Sequence, residues 1–296
     1  MEFRRVSPRS SLTVSVVGFG CEPLGGADWG QVDLEGVKRA AAVAADSGIN
    51  FFDTAGVYGL GASERNLRQA LGSRIRDVVV STKCGFSWRQ SSDVERADVW
   101  RDASPDAIRR DTESSLKRLG LDCIPLLFVH WPDPKTPLED TLEALVRLRE
   151  QGKISEIGLS NYPVSQIEIA ARNCPYLVAI QGQYSVLHRE HERDVLPVCR
   201  REGLGFFAWG PLAQGLLTGK YGEATVFAAG DRRRTHPNFT LEERRRAAHF
   251  VKELAASGRG PAQAAVRWVI DQPGVTAAIT GVKGEDQVSE LLGVSR

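Results

Sequence analysis

The sequence predicts an α/β protein built as one (β/α)8 barrel over residues 1–296, with long active-site loops at the C-terminal face. Three observations favour this fold. Eight apolar runs of strand length recur along the chain, helical patterns lie between them, and three successive runs end in ionisable residues. Strands that are apolar on both faces and alternate with helices form a parallel sheet covered by helices. Eight such units close as a barrel of about 250 residues plus loops.

The predicted strands cover residues 14–18, 49–53, 78–82, 126–130, 154–160, 178–181, 204–209 and 275–280. Between them, Asp33 predicts a helix N-cap, and Ser104 followed by Pro105 predicts another. Residues 136–139 (Thr-Pro-Leu-Glu) and 240–243 (Thr-Leu-Glu-Glu) each read as a capping box. Two connections, 84–103 and 210–240, are long, and long loops in a compact domain are usually functional.

An open doubly wound sheet is the rival architecture. Its dinucleotide site requires Gly-x-Gly-x-x-Gly directly after the first strand. Residues 18–23 read Gly-Phe-Gly-Cys-Glu-Pro, so the third glycine is absent and a proline stands where a helix would begin. The barrel is therefore the better prediction.

Composition excludes several classes of protein. The net charge is +1, 42% of the 296 residues are hydrophobic, and basic residues do not segregate, so neither a nucleic-acid partner nor a membrane partner is expected. The five cysteines form no Cys-x-x-Cys pair, which argues against a disulfide framework and a metal site. We expect reduced thiols in a cytoplasmic protein, and the excess of arginine over lysine indicates a bacterial source.

Four residues carry the candidate chemistry: Asp53, Tyr58, Lys83 and His130. They follow or end three predicted strands, whose carboxyl ends meet at one mouth of a barrel. A neighbouring ammonium favours the phenolate, so we expect Lys83 to lower the pKa of Tyr58. Tyr58 and His130 would then stabilise a developing alkoxide and supply its proton. Such a site lacks an electron source, which a nicotinamide hydride would provide.

With these residues in place, the chain resembles an aldo-keto reductase over nearly its full length. Asp53, Tyr58, Lys83 and His130 stand where that family has its catalytic tetrad. Gly61-Ala62-Ser63-Glu64 resembles the turn that follows the catalytic tyrosine. The segments 158–161, 181–184, 209–221 and 278–287 resemble, in order, the family's cofactor-binding stretches.

The resemblance implies an NADP(H) cofactor, with NAD(H) as the alternative. Ser160, Asn161 and Gln181 would bind the nicotinamide carboxamide, and Tyr184 would stack on the ring. The loop that begins at Trp209 would surround the pyrophosphate. The full set of implied cofactor residues is Gly20, Cys21, Asp53, Ser160, Asn161, Gln181, Tyr184, Trp209, Gly210, Pro211, Leu212, Gln214, Gly215, Lys220, Gly281, Lys283 and Gln287.

The chain also departs from the family pattern. Thr280 stands where the family often has proline, and Leu291 where it has an asparagine for the adenine edge. The last helix offers no arginine for a 2′-phosphate, so Lys283 or an arginine of 232–234 would have to bind it. Little sequence follows that helix, so we expect a short C-terminal substrate loop.

Substrate selection is then expected to fall to four aromatic residues together with the 210–240 loop. An aromatic mouth suits a bulky carbonyl compound or a sugar, because aromatic faces pack against the apolar faces of such molecules. The expected pocket residues are Trp29, Phe86, Trp88 and Trp131.

The predicted function is NADPH-dependent reduction of an aldehyde, ketone or sugar carbonyl, with Tyr58 as the proton donor and a small molecule as the only expected partner. The alternatives are a sugar dehydrogenase that works in the oxidative direction and a nicotinamide-sensing regulatory subunit, as in the family's ion-channel β-subunits. A phosphate-sugar isomerase on the same barrel is a weaker alternative.

Overall fold

The structure is a computed structural model that describes residues 1–26, 32–89, 97–227, 232–256 and 258–295. Its centre is a closed barrel of eight parallel strands, which confirms the predicted fold class. Each strand pairs in parallel with its two neighbours, and the last strand closes the barrel against the first. In chain order the strands are β1 (Val17–Gly20), β2 (Phe51–Asp53), β3 (Val79–Cys84), β4 (Ile124–Val129), β5 (Ile154–Ser160), β6 (Leu177–Gln183), β7 (Gly205–Trp209) and β8 (Val275–Gly281).

The first predicted strand, residues 14–18, is wrong in its bounds. This run is divided between a short antiparallel hairpin strand, Thr13–Ser15, and β1. The hairpin pairs Thr13–Ser15 with Phe3–Arg5. Periodicity alone does not separate the two strands because both are apolar and only Val16 lies between them.

Nine α-helices occur in the part of the chain that the structure describes. They are α1 (Leu34–Asp46), α2 (Ala62–Leu71), α3 (Pro105–Leu119), α4 (Leu138–Glu150), α5 (Val164–Asn173), α6 (Val195–Glu202), α7 (Leu241–Ala255), α8 (Pro261–Ile270) and α9 (Glu285–Leu292). None of these described helices is both long and apolar enough to cross a membrane.

The predicted helix caps are confirmed at three of four positions. The side chains of Asp33, Ser104 and Thr240 accept hydrogen bonds from backbone N–H groups in the first turns of α1, α3 and α7. The capping box at 136–139 is wrong. Thr136 donates its hydroxyl to Asp133 at 2.8 Å instead, and Pro137 is the N-cap residue of α4 without a side-chain cap.

Two apolar layers hold the barrel together. An interior cluster includes the rings of Phe51 and Phe128, which pack on Phe207 in tilted and edge-to-face arrangements with centroids 5.0 and 6.0 Å apart. Gly158 makes room for these rings, because a Cβ there would lie 2.4 Å from the Phe128 ring. A larger cluster between strands and helices forms the outer layer. Side chains of the interior cluster fill the barrel, and the cavity described below lies above them at the carboxyl ends of the strands.

In the described residues of the long connection after β3, Phe86–Arg89 pairs antiparallel with Asp98–Arg101 near α3, and this pair of strands is called the second hairpin.

Candidate active site

A cavity of about 470 Å³ opens at the carboxyl ends of the strands. It runs from Tyr58 and His130 at the barrel mouth, past the loop after β7, to the groove between β8, α8 and α9. Asp53 and Gln181 contribute to its floor. The structure thus brings residues from separate strand ends to one cavity, as the sequence predicts.

Asp53 and Lys83 form a buried ion pair below this floor. The two side chains are only 5% and 1% exposed, and Lys83 Nζ lies 2.6 Å from Asp53 Oδ2. Lys83 also donates to the Thr54 carbonyl at 2.9 Å. Asp53 Oδ1 accepts from Ser81 at 2.7 Å and from Gln181 at 3.0 Å. Both charges are therefore fully partnered, which a buried pair requires if it is to offset its desolvation.

Tyr58 lies directly above this pair. Its hydroxyl is 3.5 Å from Lys83 Nζ. Burial raises the pKa of the Tyr58 phenol well above its usual range, and the negative charges of Glu22 and Asp53 act in the same direction. The expected lowering of this pKa by Lys83 is therefore wrong. Asp53 already neutralises the ammonium, so desolvation dominates and the phenol keeps its proton at neutral pH.

His130 follows β4 and faces Tyr58 edge to face, with ring centroids 5.8 Å apart. Burial lowers the pKa of His130 well below its usual range, and the positive charge of Lys83 adds to this. The imidazole is therefore neutral, with one N–H to donate. Tyr58 and His130 together offer two neutral donors at the barrel mouth.

An amide cluster adjoins these donors. Asn161, in a left-handed conformation with φ of 62°, donates to the His130 carbonyl at 3.0 Å and accepts from the Trp209 indole N–H at 3.0 Å. Ser160, which is fully buried and does not line the cavity, accepts from Asn161 and donates to Gln181. Ser160 therefore orients the two amides from behind.

The segment after β7 lines the middle of the cavity. Gly210 and Gly215 have φ values of 68° and 101°, and Gln214 also adopts positive φ at 53°. These left-handed residues turn the backbone tightly around the cavity. Asn238 donates to the Gln214 side chain at 3.3 Å and so supports this turn from the 210–240 connection.

The far end of the cavity lies between β8 and α9. It is lined by Gly281, Lys283, Gln287 and Leu291, while the backbone N–H of Lys283 donates to the Gln287 side chain at 2.8 Å. Lys220 and Arg233 line the cavity as well, so three cationic side chains border a long groove, whose acidic lining residues are Glu22, Asp53 and Glu290. This donor set, a glycine-rich turn with three cations, fits a dinucleotide with a diphosphate.

Several predicted residues lie elsewhere. Tyr184 does not line the cavity: it is completely buried, stacks on Trp268 and donates its hydroxyl to Glu192 at 2.7 Å. Its position after β6 directs it into the helical layer, so the expected stacking on a nicotinamide is wrong for this conformation.

The predicted aromatic pocket is only partly assembled. Trp131 lines the cavity, with the Arg101 guanidinium 5.0 Å from its ring centroid. Phe86 and Trp88 line a separate cavity of about 370 Å³ between the second hairpin and α3, because the hairpin turns them toward that helix. Phe86 still meets the site, since its ring packs edge to face on His130 at 5.1 Å. Trp29 lies outside the described residues.

A second buried charge pair, which the sequence did not predict, supports the site. Glu64 at the start of α2 is completely buried, accepts from Thr82 at 2.6 Å and pairs with Arg118 of α3. Thr82 precedes Lys83, and α2 follows the turn that carries Tyr58. Glu64 therefore joins the Tyr58 turn to the strand that carries Lys83. In the sequence, Glu64 stands out only as part of the 61–64 motif, and its complete burial is visible only in the structure.

Comparison with known proteins agrees with this geometry. The Aldo/keto reductase family model matches residues 16–296. Aldo-keto reductase YhdN of Bacillus subtilis is 34% identical, over 98% of this chain and 88% of its own length. A probable voltage-gated potassium channel subunit beta of Arabidopsis thaliana is 31% identical, over 98% of this chain and 90% of that protein. The structure of a glycerol dehydrogenase from Gluconobacter oxydans superposes with a TM-score of 0.90 at 35% identity, covering 99% of this chain and 89% of that one.

These findings define the class: an oxidoreductase that uses a nicotinamide cofactor on a (β/α)8 barrel. The chain belongs to the aldo-keto reductase family.

Proposed function

We propose that this protein reduces an aldehyde, ketone or sugar carbonyl with NADPH, with Tyr58 as the proton donor. The observation that supports this most directly is the arrangement at the barrel mouth. A phenol that keeps its proton stands 3.5 Å from an ammonium whose charge is already balanced, beside a neutral imidazole.

The proposed roles follow from these contacts. A nicotinamide bound here would supply the hydride that the carbonyl carbon accepts. Tyr58 would give its proton to the carbonyl oxygen, and His130 would donate a second hydrogen bond that orients this oxygen. Lys83, held by Asp53, would stabilise the phenolate that Tyr58 becomes. Asn161 and Gln181, which line the cavity, would hold the carboxamide.

The state of Tyr58 also bears on direction. Reduction requires a protonated phenol, whereas oxidation of an alcohol requires a proton acceptor at the same atom. Because burial keeps Tyr58 protonated at neutral pH, the phenol is in the form that carbonyl reduction requires. A dehydrogenase working toward the oxidised product remains the nearest alternative, and the glycerol dehydrogenase neighbour makes polyols its natural test substrates.

NADPH is proposed over NADH because Lys283 and Arg233 line the cavity. Either cation would bind a 2′-phosphate by charge-assisted hydrogen bonds. Trp131 at the mouth supports a substrate with an apolar face. We further infer that residues 1–296 form a single domain, because β8 closes on β1. The five free thiols support a cytoplasmic location, and the excess of arginine over lysine supports a bacterial origin.

The test replaces Tyr58 by phenylalanine and follows NADPH oxidation with a panel of aldehydes, ketones and sugars. We expect turnover to fall at least about a hundredfold, since general acid catalysis contributes that much, while NADPH binding measured by fluorescence stays within about twofold. Tyr176→Phe is the matched control: it removes a phenol hydroxyl from a residue that packs under Arg149, outside the cavity. Turnover by Tyr58→Phe above about a tenth of wild type would refute the role.

A regulatory subunit is the second candidate, favoured by the channel-subunit relative. Its tetrad would act once per bound cofactor rather than in cycles. Steady consumption of many equivalents of NADPH per protein supports the reductase; one equivalent followed by arrest supports the regulatory subunit.

A further inference from the structure

Three buried side-chain nitrogen or oxygen atoms among the described residues have no hydrogen-bond partner: Gln183 Nε2, Arg244 Nε and Thr280 Oγ1. Arg244 is otherwise well bonded, since its terminal nitrogen Nη1 donates to three carbonyls. Neither Gln183 nor Arg244 lines the cavity, but Thr280 does. A buried polar group without a partner is rare and calls for an explanation.

Thr280 occupies the penultimate position of β8, in an unbroken cavity-lining segment from Ile279 to Lys283. Ile279 belongs to the barrel interior, so the next residue along the strand faces the helical layer instead. On that side the cavity is lined by Ala262 of α8 and Leu291 of α9. Thr280 therefore lines the cavity in the same segment as Gly281 and Lys283, beside the groove between β8 and α9.

Thr276, four residues earlier, shows what the same strand does with a structural threonine. It is similarly buried, at 6% exposure against 3% for Thr280, and its hydroxyl donates to the Val6 carbonyl at 3.3 Å. No described residue forms an equivalent hydrogen bond with the Thr280 hydroxyl. Its hydroxyl is nearly covered, but rotation about the Cα–Cβ bond moves it between staggered positions.

We infer that the Thr280 hydroxyl is a ligand-binding group, which donates a hydrogen bond to a phosphate or ribose oxygen in the adenosine diphosphate half of the bound nicotinamide dinucleotide. This inference rests on the cofactor part of the proposed function. Its physical basis is that the free protein carries the cost of an unpaired hydroxyl, and an acceptor oxygen on the ligand removes that cost.

Thr280→Val replaces the hydroxyl by a methyl group of similar size. The inference predicts its effect on ligand affinity and on the Tm of the free protein. Affinity for NADP⁺ and for ADP-ribose should fall about tenfold, the loss expected for one hydrogen bond to a charged acceptor. Affinity for nicotinamide mononucleotide should stay within about twofold. The Tm of the ligand-free protein should rise by about 2 °C, because an unpaired buried hydroxyl is gone.

The experiment combines calorimetric titration of the three ligands with ligand-free thermal unfolding. Thr280→Ser keeps a hydroxyl and should bind ADP-ribose within about threefold of wild type. Thr276→Val is the matched control, which should lower the Tm because Val6 loses its donor, yet bind ADP-ribose normally.

Two outcomes overturn the inference alone: ADP-ribose affinity of Thr280→Val within twofold of wild type, or a Tm lowered as in Thr276→Val. If wild-type protein binds neither NADP⁺ nor ADP-ribose, the cofactor assignment itself fails and the inference falls with it.

Discussion

The buried Asp53–Lys83 pair gives the sharpest prediction about stability. Asp53→Asn removes the carboxylate charge and leaves the Lys83 ammonium, 1% exposed, without its partner at 2.6 Å. Breaking a buried pair in this way costs about 3–5 kcal/mol, because the remaining charge is desolvated and uncompensated. We expect the free energy of unfolding, measured by urea denaturation, to fall by that amount.

A double-mutant cycle separates the pair from its surroundings. Asp53→Asn combined with Lys83→Met removes both charges, so it should recover most of the loss seen in Asp53→Asn alone. The control is the pair of Lys38 and Glu35, at a similar 2.9 Å but with Glu35 70% exposed, where Glu35→Gln should cost less than about 1 kcal/mol. An Asp53→Asn variant within 1 kcal/mol of wild type, or a double variant no more stable than it, would refute the reasoning.

Three further predictions concern pH and the cofactor. The kcat for carbonyl reduction should stay constant from about pH 6.5 to 9.5. The reason is that the pKa of Tyr58 lies above its usual value near 10 and the pKa of His130 lies below its usual value near 6.5. A decrease in kcat near pH 8 that is absent in Tyr58→Phe would contradict this prediction. Burial raises the pKa of Asp111 to about 6, so its folded carboxyl holds a proton more tightly than the unfolded chain does. Its stabilising contribution is complete below about pH 4 and is lost as the pH rises through 6. Over that range, the free energy of unfolding of the wild type relative to Asp111→Asn should decline by up to about 3 kcal/mol in urea denaturation. A difference that does not vary with pH would contradict the raised pKa of this carboxyl. In calorimetric titration, Lys283→Ala should lower the affinity for NADP⁺ about tenfold and change the affinity for NAD⁺ by less than twofold. Equal losses of affinity for both cofactors would show that Lys283 does not bind the 2′-phosphate.

Much of the site was predictable because strand ends are visible in sequence. Asp53, Lys83 and His130 each end or follow an apolar run, and parallel topology then places them together. The alternation of apolar runs and helical patterns does not show in which direction a side chain at the end of a strand points. Tyr184 directly follows β6 and Trp209 is the last residue of β7, yet only Trp209 lines the cavity.

The pKa values of the site residues could not be predicted from the sequence either. Proximity of Lys83 to Tyr58 was inferred correctly, but its effect on the pKa depends on the desolvation around the phenol and on the carboxylate already paired with the ammonium. Both are properties of packing, which no linear pattern contains. The same holds for Glu64, whose complete burial beside Arg118 arises only when α2 and α3 meet.

The order of apolar runs and caps along this chain is sufficient to specify a barrel and to bring four reactive side chains to its mouth, because hydrophobic burial and parallel pairing leave few other arrangements. Tertiary structure alone decided which of the remaining polar groups face the cavity, which protons they hold and which hydroxyl is left without a partner. These depend on distances of a few ångströms between residues far apart in sequence, and a polar group's energy changes steeply with its immediate surroundings.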